Sequence, residues 1–258
     1  REFNSGYSTI RDELKIDDEK LGALKEKSVN YFNTEVLPRL NKNLEVKTLL
    51  EEEMSRNPEA IVLQNQYIIN NPNNVGEKHK FTRSNDESSY NNTHTKFHPV
   101  IKNFLEKFGY YDIFLIDNKT GNIVYTVYKE VDFASCLLDG PYRNTNLASA
   151  FNAVKDAKDR TEIRLVDYKP YHPSYNAPSS FIAAPIFDGT EEIGVLVFQM
   201  PIDKINDIMT NKQQWAKVGL GATGETYIVA EDYTIRNQSR FLIEDSTNYF
   251  KMLTDLKV

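Results

Sequence analysis

The sequence has 258 residues, which is enough for one large domain or two small ones. Its net charge of −6 argues against a general phosphate-binding surface, so binding to nucleic acid is disfavoured. The single cysteine excludes an internal disulfide, and no run of about 18 apolar residues predicts a membrane-spanning helix. No signal peptide is visible and the chain starts in charged sequence without Met, as expected of a fragment of a longer protein.

Helical patterning dominates the N-terminal part of the chain. Asp17 and Asp18 can cap a helix that should end or kink at Pro38. A second helix is expected from near Leu44 until just before Pro58, and a third starts at that proline. The following polar stretch is expected to loop across the surface over residues 73–92, and its last seven residues are expected to be the least structured.

The most regular pattern lies between residues 108 and 133. A helix with an apolar stripe is expected to end at Gly109. Two apolar, strand-like runs follow at 110–116 and 123–128. The DNKTGN between them contains Gly121 where a tight turn needs it, so the pattern predicts a β-hairpin.

Three further strands are predicted downstream, over residues 162–168, 180–187 and 193–201. A short helix over residues 147–157 precedes them. Together with the hairpin, these strands predict one five-stranded antiparallel sheet. The expected fold class is therefore α+β, with long N-terminal helices and a sheet of the PAS or Cache type.

A second, incomplete pattern of the same kind follows. A helix is expected over residues 204–215, and then a glycine-rich turn at 219–225. Short strands are expected at 226–230 and around 234–236, as at the start of a second PAS-like module. The GxGxxG in the turn follows a helix and precedes a strand, so a dinucleotide-binding motif is rejected.

Five blocks of the sequence resemble a known family. They are LQNQYIINNPNNVGEK, FGYYDIFLIDNKTGNIVYTVYKEVDF, LLDGPYRNTNLASAF, SFIAAPIFDGTEEIGVLVFQMPID and GLGATGETYIV. In order and spacing they resemble the extracytoplasmic double-Cache sensor region of bacterial methyl-accepting chemotaxis proteins. Similar regions occur on some membrane-bound adenylate or guanylate cyclases and sensor kinases.

The resemblance implies a division of the chain. It implies N-terminal helices with a surface loop (1–95), a membrane-distal ligand-binding module (96–203), a connecting helix (204–218) and the start of a membrane-proximal module (219–258). It also implies flanking transmembrane helices, a periplasmic location and a homodimer through the long helices. Amino-acid-binding members carry an Arg-x-Trp-Tyr stretch that this sequence lacks, so the resemblance supplies no ligand.

The expected ligand pocket lies between the sheet and the segments that cover it. By period two, Tyr125 and Lys129 share one face of the second strand, although a slip of one residue would swap the faces. Lys129 and Asp132 offer opposite charges to a small polar metabolite, with a carboxylate as one candidate. The other candidates are Tyr142, Arg143, Tyr168, Tyr171 and Tyr175. The alternative is that these are ordinary half-buried tyrosines and solvated charges.

Two other features admit a functional interpretation. His94 and His98 have the i, i+4 spacing of a metal-binding pair. Because Pro99 follows and no third ligand stands at fixed spacing, two exposed histidines near a helix start are the favoured interpretation, and no cofactor is expected. Cys136 lies in an apolar run and is expected to be a buried, inert thiol.

The sequence therefore predicts a non-enzymatic sensor. Ligand binding in the distal module would shift the N-terminal helix and the helix leaving at Lys204, and so bias a two-state signalling equilibrium. The first alternative is the sensor of a membrane-bound cyclase or histidine kinase. The second is a metal- or haem-dependent sensor that uses His94 and His98. A hydrolase is the weakest alternative, for want of any nucleophile motif.

Overall fold

The computed structural model describes residues 1–43 and 47–256. The chain divides into two compact units, Arg1–Met200 and Pro201–Val258. The N-terminal helices and the sheet belong to the first unit. The finer limits that the resemblance implies for the modules stay predictions.

The first unit contains six helices among the described residues: α1 (Glu2–Glu13), α2 (Asp18–Tyr31), α3 (Leu37–Leu40), α4 (Pro58–Gln64), α5 (Ser89–Phe108) and α6 (Asn146–Asn152). The strands are β1 (Asp112–Ile116), β2 (Ile123–Thr126), β3 (Arg164–Tyr171), β4 (Ala177–Asp188) and β5 (Glu191–Pro201).

The strands form one five-stranded sheet in the order β2-β1-β5-β4-β3. Strand β1 pairs antiparallel with β2 and β5, so that Phe114 lies between Thr126 and Val197. The pairing of β3 with β4 is also antiparallel. The predicted α+β class and five-stranded antiparallel sheet are confirmed.

The hairpin turn forms for the predicted reason. The Asp117 carboxylate accepts hydrogen bonds from the backbone N–H groups of Lys119 (3.0 Å) and Thr120 (2.7 Å). Gly121 has a φ of 70°, which glycine adopts at little cost. The turn therefore rests on one carboxylate and one glycine.

Apolar side chains pack into two clusters. The first joins α6 to β1, β4 and β5 and includes Phe32, Phe114 and Phe181. The second joins α1, α4 and α5 to the hairpin and includes Tyr67 and Tyr125.

Helix α1 approaches α5 closely at Gly6. A Cβ atom at Gly6 would lie 2.8 Å from the Cα atom of Tyr90, so only glycine fits there.

The N-terminal helices agree only in part with the prediction. Asp17 caps α2 by accepting the N–H of Lys20 at 2.9 Å, as expected. A π-helical turn (Phe32–Val36) follows and leads through Pro38 to the end of α3. The predicted helix start near Leu44 lies outside the described residues. Over residues 47–57 the structure has only a short 3-10 turn, so the helix expected to reach Pro58 is wrong there.

The polar stretch before α5 is more ordered than predicted. Ser88 caps α5 by accepting the N–H of Asn91 at 3.1 Å. The Asn91 side chain is fully buried and donates to the carbonyl oxygen of Ser84 at 3.0 Å. The expectation that residues 86–92 are the least structured part is therefore wrong, because one buried amide organises them.

The second unit contains α7 (Ile202–Met209), α8 (Arg240–Glu244) and α9 (Ser246–Leu256). Helix α7 ends before the predicted Trp215, because Asn211, Lys212 and Gln213 all have positive φ. The two short strands predicted here are reduced to one bridge between Val229 and Ile235.

Across residues 1–43 and 47–256, none of the helices combines the length and apolar character that crossing a bilayer requires.

Candidate functional site

The site is built where the chain leaves β2. The Asp112 carboxylate in β1 accepts the backbone N–H groups of Val127 (2.8 Å) and Tyr128 (3.2 Å). Lys129 then adopts a left-handed backbone with a φ of 57°. Strand β2 ends at Thr126 as a result, and the period-two argument that placed Tyr125 and Lys129 on one strand face does not hold.

Lys129 is buried among aromatic rings. Its ammonium lies 4.3 Å from the ring centroid of Tyr125, 5.0 Å from that of Phe133 and 5.9 Å from that of Tyr67. It donates a hydrogen bond to the carbonyl oxygen of Thr126. Burial lowers the pKa of Lys129 to about 7, against the opposing effect of Asp112. We call this arrangement the aromatic cage (Tyr67, Tyr125, Phe133); cation–π attraction stabilises the ammonium inside it.

Two histidines of α5 lie beside the cage. His98 donates from Nε2 to the carbonyl oxygen of His79 (2.8 Å), so its Nδ1 accepts the Tyr125 hydroxyl (2.8 Å). The imidazole of His94 stacks on that of His98 with 4.4 Å between ring centroids. Both are fully buried, so the expectation of exposed histidines is wrong. Burial lowers the pKa of His98 to about 3.

Metal binding finds little support at these histidines. Both nitrogens of His98 are committed to hydrogen bonds, and Nδ1 of His94 donates to the carbonyl oxygen of Thr82 at 2.8 Å. Within the described part of the chain, no group of three or more His, Cys, Asp or Glu side chains could hold a metal ion.

Three acidic side chains lie in the same region as Lys129, and one of them, Asp112, acts electrostatically on its ammonium. Glu130 accepts hydrogen bonds from the hydroxyls of Tyr111 (2.8 Å) and Ser174 (2.6 Å). Asp132 accepts one from the Tyr171 hydroxyl. We call Asp112, Glu130 and Asp132 the carboxyl cluster, because Asp132 acts electrostatically on both of the others.

Burial makes ionisation of this cluster unfavourable. It raises the pKa of Asp112 to about 7, with a further contribution from Asp132. It raises the pKa of Asp132 to about 6, although the hydrogen bond from Tyr171 opposes the shift. Burial and then Asp132 hold the pKa of Glu130 well above its usual value. A cation beside the cluster would therefore favour its ionised form.

Two buried acceptors in this region have no donor. Among the described residues, Oδ1 of Asp132 and Oε1 of Gln199 find no hydrogen-bond partner. Gln199 uses its amide nitrogen instead, donating to Ser174 (3.1 Å) and Ser179 (2.8 Å). A buried polar atom without a partner costs free energy, so the arrangement favours a ligand that donates hydrogen bonds.

A small cavity of about 30 Å³ opens beside Glu130. Its volume is close to that of one water molecule. It is lined by Tyr31, Val36, Ile68, Val75, Gly76, Lys78, Tyr128, Lys129, Glu130, Val131 and Tyr175. Tyr31, Val75 and Lys78 also line a larger cleft of about 530 Å³, so the cleft and the cavity share a wall.

The structure brings together only part of the predicted set. Lys129 and Tyr175 line the cavity, and Asp132 pairs with Tyr171. Tyr125 faces His98 in the second apolar cluster. Tyr142 donates to Glu53 (2.8 Å) and lies within electrostatic range of Asp132 and Glu130. Arg143 is exposed, and the hydroxyl of Tyr168 is buried without a partner among the described residues.

Three residues of the site are not among those predicted from the sequence: Asp112, Glu130 and Gln199. Asp112 and Gln199 are polar residues inside apolar strands, and they face each other in the β1–β5 pairing. That pattern was a usable signal, since a buried polar side chain needs a partner. Ser174 lies in the tyrosine-rich segment that the sequence indicates, but its contact with Glu130 spans 44 positions and no local pattern predicts it.

Cys136 is only half-buried, which corrects the expectation of a fully buried thiol. Its Sγ donates to the carbonyl oxygen of Thr120 at 3.2 Å. Burial raises the pKa of the thiol, which agrees with an unreactive cysteine.

No family model and no curated protein matches the chain. Solved structures do match. The sensory domain of the Campylobacter jejuni chemoreceptor Tlp3 (CcmL) is 14% identical with a TM-score of 0.39, over 95% of this chain and 78% of that one. The same domain with isoleucine bound is 13% identical with a TM-score of 0.37, over 97% and 82% of the two chains.

A third match is the sensor domain of the V. cholerae histidine kinase DctB, 12% identical with a TM-score of 0.33. It covers 72% of this chain and 58% of that one, so the present chain spans less than two thirds of the DctB domain. The matched structures are sensor domains of a chemoreceptor and of a histidine kinase, the class that the sequence resembles.

Proposed function

We propose that the chain is the extracytoplasmic ligand-sensing region of a bacterial transmembrane chemoreceptor, and that its ligand carries an ammonium group. The observation that carries the proposal is a pair of buried acceptors without donors among the described residues: Oδ1 of Asp132 in the carboxyl cluster, and Oε1 of Gln199. An ammonium group has three donors and a positive charge, and it would satisfy both requirements.

The same reasoning revises the predicted ligand. A carboxylate that entered the carboxyl cluster would meet like charges at short range. The cation expected to receive it, Lys129, has its ammonium in the aromatic cage. The carboxyl cluster is therefore better suited to the cationic end of a metabolite.

Binding would have to move the walls of the cavity, because about 30 Å³ admits no metabolite. One wall is formed by Tyr31 of α2 and Val36 of the π-helical turn, and the facing segment includes Val75 and Gly76. Separation of these walls would shift the N-terminal helices relative to the sheet. A ligand favours the shifted state by its greater affinity for it.

The membrane setting belongs to the proposal. A periplasmic location, flanking transmembrane helices and a homodimer through the long helices accompany a receptor of this class. A cyclase or histidine kinase output is equally compatible with this site, because the site acts only through movement of the helices.

The test is a thermal-shift screen of primary amines, in which each amine is compared with a neutral analogue of the same shape. At least one amine should raise the Tm, since a ligand at 100 times its Kd stabilises by about 2.7 kcal/mol. Asp132→Asn keeps the shape of the side chain and should weaken that amine at least tenfold, since it removes a buried charge.

Asp156→Asn, whose side chain is 83% exposed, is the matched control and should bind as the native protein does. A screen without a stabilising amine, or unchanged affinity in Asp132→Asn, would contradict the proposal. Lys129 stays a predicted contact, and Lys129→Ala with unchanged affinity would remove it from the site.

A further inference from the structure

A buried ion pair lies outside the candidate site and involves the segment 47–57, which precedes α4. Glu53 of this segment is only 3% exposed, although the segment contains no regular structure beyond one short 3-10 turn. Its Oε2 accepts the hydroxyl of Tyr142 at 2.8 Å, and its Oε1 lies 2.8 Å from Nε2 of His172. His172 directly follows β3, so the pair joins an irregular segment to the end of a strand.

Both ring nitrogens of His172 face acceptor oxygens. Nε2 faces Glu53, and Nδ1 lies 3.3 Å from Oδ1 of Asn176. Only the protonated imidazole carries an N–H on each nitrogen, so this geometry fits the cation. The hydrogen bond with Glu53 raises the pKa of His172 although burial opposes the shift, and Glu52 adds to the increase. His98 differs, because one of its nitrogens accepts a hydroxyl.

The groups around the pair favour the cation but cannot replace it. The hydroxyl of Thr48 lies 3.4 Å from Nε2 of the imidazole and is neutral. On the other side the buried Tyr142 is neutral, and Asp132 and Glu130 act electrostatically on it. Loss of the imidazole proton would therefore leave a buried carboxylate without a positive partner, which costs free energy.

Few other contacts hold the segment in place. Leu50 and Met54 pack against the first apolar cluster but stay partly exposed. The N–H of Thr48 donates to the side chain of Asn41 at 2.8 Å. A segment with so few buried contacts opens at a low cost in free energy. The charge on His172 can therefore decide whether the segment is held.

We infer that Glu53 and His172 form a pH-sensitive latch, which holds the segment 47–57 against the first apolar cluster in acid and releases it as the pH rises. A single histidine suits this role, because its charge changes within the physiological range of pH. Release would widen a cleft of about 1010 Å³, since residues 51–59 form one of its walls. The latch needs no ligand, so it adds a response to pH to the proposed response to a metabolite.

The experiment is hydrogen–deuterium exchange of the chain without ligand from pH 5.5 to 9. The reporters are the amides of Glu52, Glu53 and Met54, which donate to carbonyl oxygens inside the segment. After correction for intrinsic exchange, their protection should fall about tenfold as the pH rises, because a charged hydrogen bond is lost. His172→Gln should give the low protection at every pH. His172→Arg stays charged and should keep the high protection at pH 9.

Glu53→Gln keeps the shape of the side chain and should make the protection independent of pH. His79→Gln is the matched control, because His79 is also partly buried but stacks on Tyr128 and not on the segment. It should show the native pH dependence. Protection that stays constant with pH in the native protein, or that falls equally in Glu53→Gln, would overturn the latch. If His172→Gln does not fold, the native profile and Glu53→Gln decide the question.

Discussion

Lys129 and Asp132 are three residues apart, yet the surroundings of their charged groups are very different. The ammonium of Lys129 is surrounded by the aromatic cage, where the ring faces partly replace its lost hydration. The carboxyl group of Asp132 receives one hydroxyl and keeps a second oxygen without a donor. The ammonium of Lys129 is therefore surrounded by partners, whereas the carboxyl cluster contains an oxygen without a hydrogen-bond donor. What Asp132 lacks is a hydrogen-bond donor, which we propose that the ligand supplies.

The largest effect should come from opening the cage. Phe133→Ala removes a fully buried ring 5.0 Å from the Lys129 ammonium. We expect it to lower the free energy of unfolding by about 3–5 kcal/mol, through the cavity that it leaves. Urea denaturation measures the change. The control is Phe108→Ala, whose side chain is 56% exposed and should cost far less. Similar losses in the two variants would show that the cage is not a packed unit.

A smaller effect should appear at the carboxyl cluster as a pH dependence. Because the pKa of Asp132 rises from 3.8 unfolded to about 6 folded, the native state binds more protons in this range. Stability then falls as the pH rises through this window.

Asp132→Asn should remove part of this fall, roughly 1–3 kcal/mol between pH 4 and 6. Urea denaturation at several pH values gives the slope, with Asp156→Asn as control. An unchanged slope in Asp132→Asn would mean that folding does not raise the pKa of the Asp132 carboxyl group.

The smallest effect is expected at His172, which contacts the carboxylate of Glu53. Its Nε2 lies 2.8 Å from Oε1 of the buried Glu53, and this contact raises the pKa of His172 above 6.5. The stabilisation should be complete below pH 6.5 and be lost as the pH rises through the higher folded pKa. We expect His172→Gln to cost about 1 kcal/mol at pH 5.5 and little at pH 9. A loss of equal size at both pH values would indicate packing rather than an ion pair.

The sheet could be predicted because its signals are local. Asp117 and Gly121 fix the hairpin turn within five residues, and the apolar runs on either side have the length of strands. The end of β2 could not be predicted in the same way. It depends on Asp112 accepting N–H groups 15 and 16 residues away, a contact that no local pattern encodes.

The candidate site was predicted as a region rather than as an arrangement. The segment 125–132 contains Lys129, Glu130 and Asp132, but period two cannot describe a segment with a left-handed residue such as Lys129. The contacts that assemble the site join Glu130 to Ser174 and Asp132 to Tyr171 across some forty positions. His94 and His98 were misjudged for the same reason, since their burial is decided by Tyr67 and Tyr125 from other elements.

The contact at Gly6 has a consequence for how a displacement can travel. Since the backbones of α1 and α5 touch there, with Tyr90 where a side chain would be, the two helices cannot slide along each other without first separating. The two helices therefore move together as one rigid element. Its far end is Gly109, where α5 stops and the chain enters β1 three residues before Asp112. A displacement of α1 is thereby transmitted to β1, the strand that carries Asp112 of the carboxyl cluster.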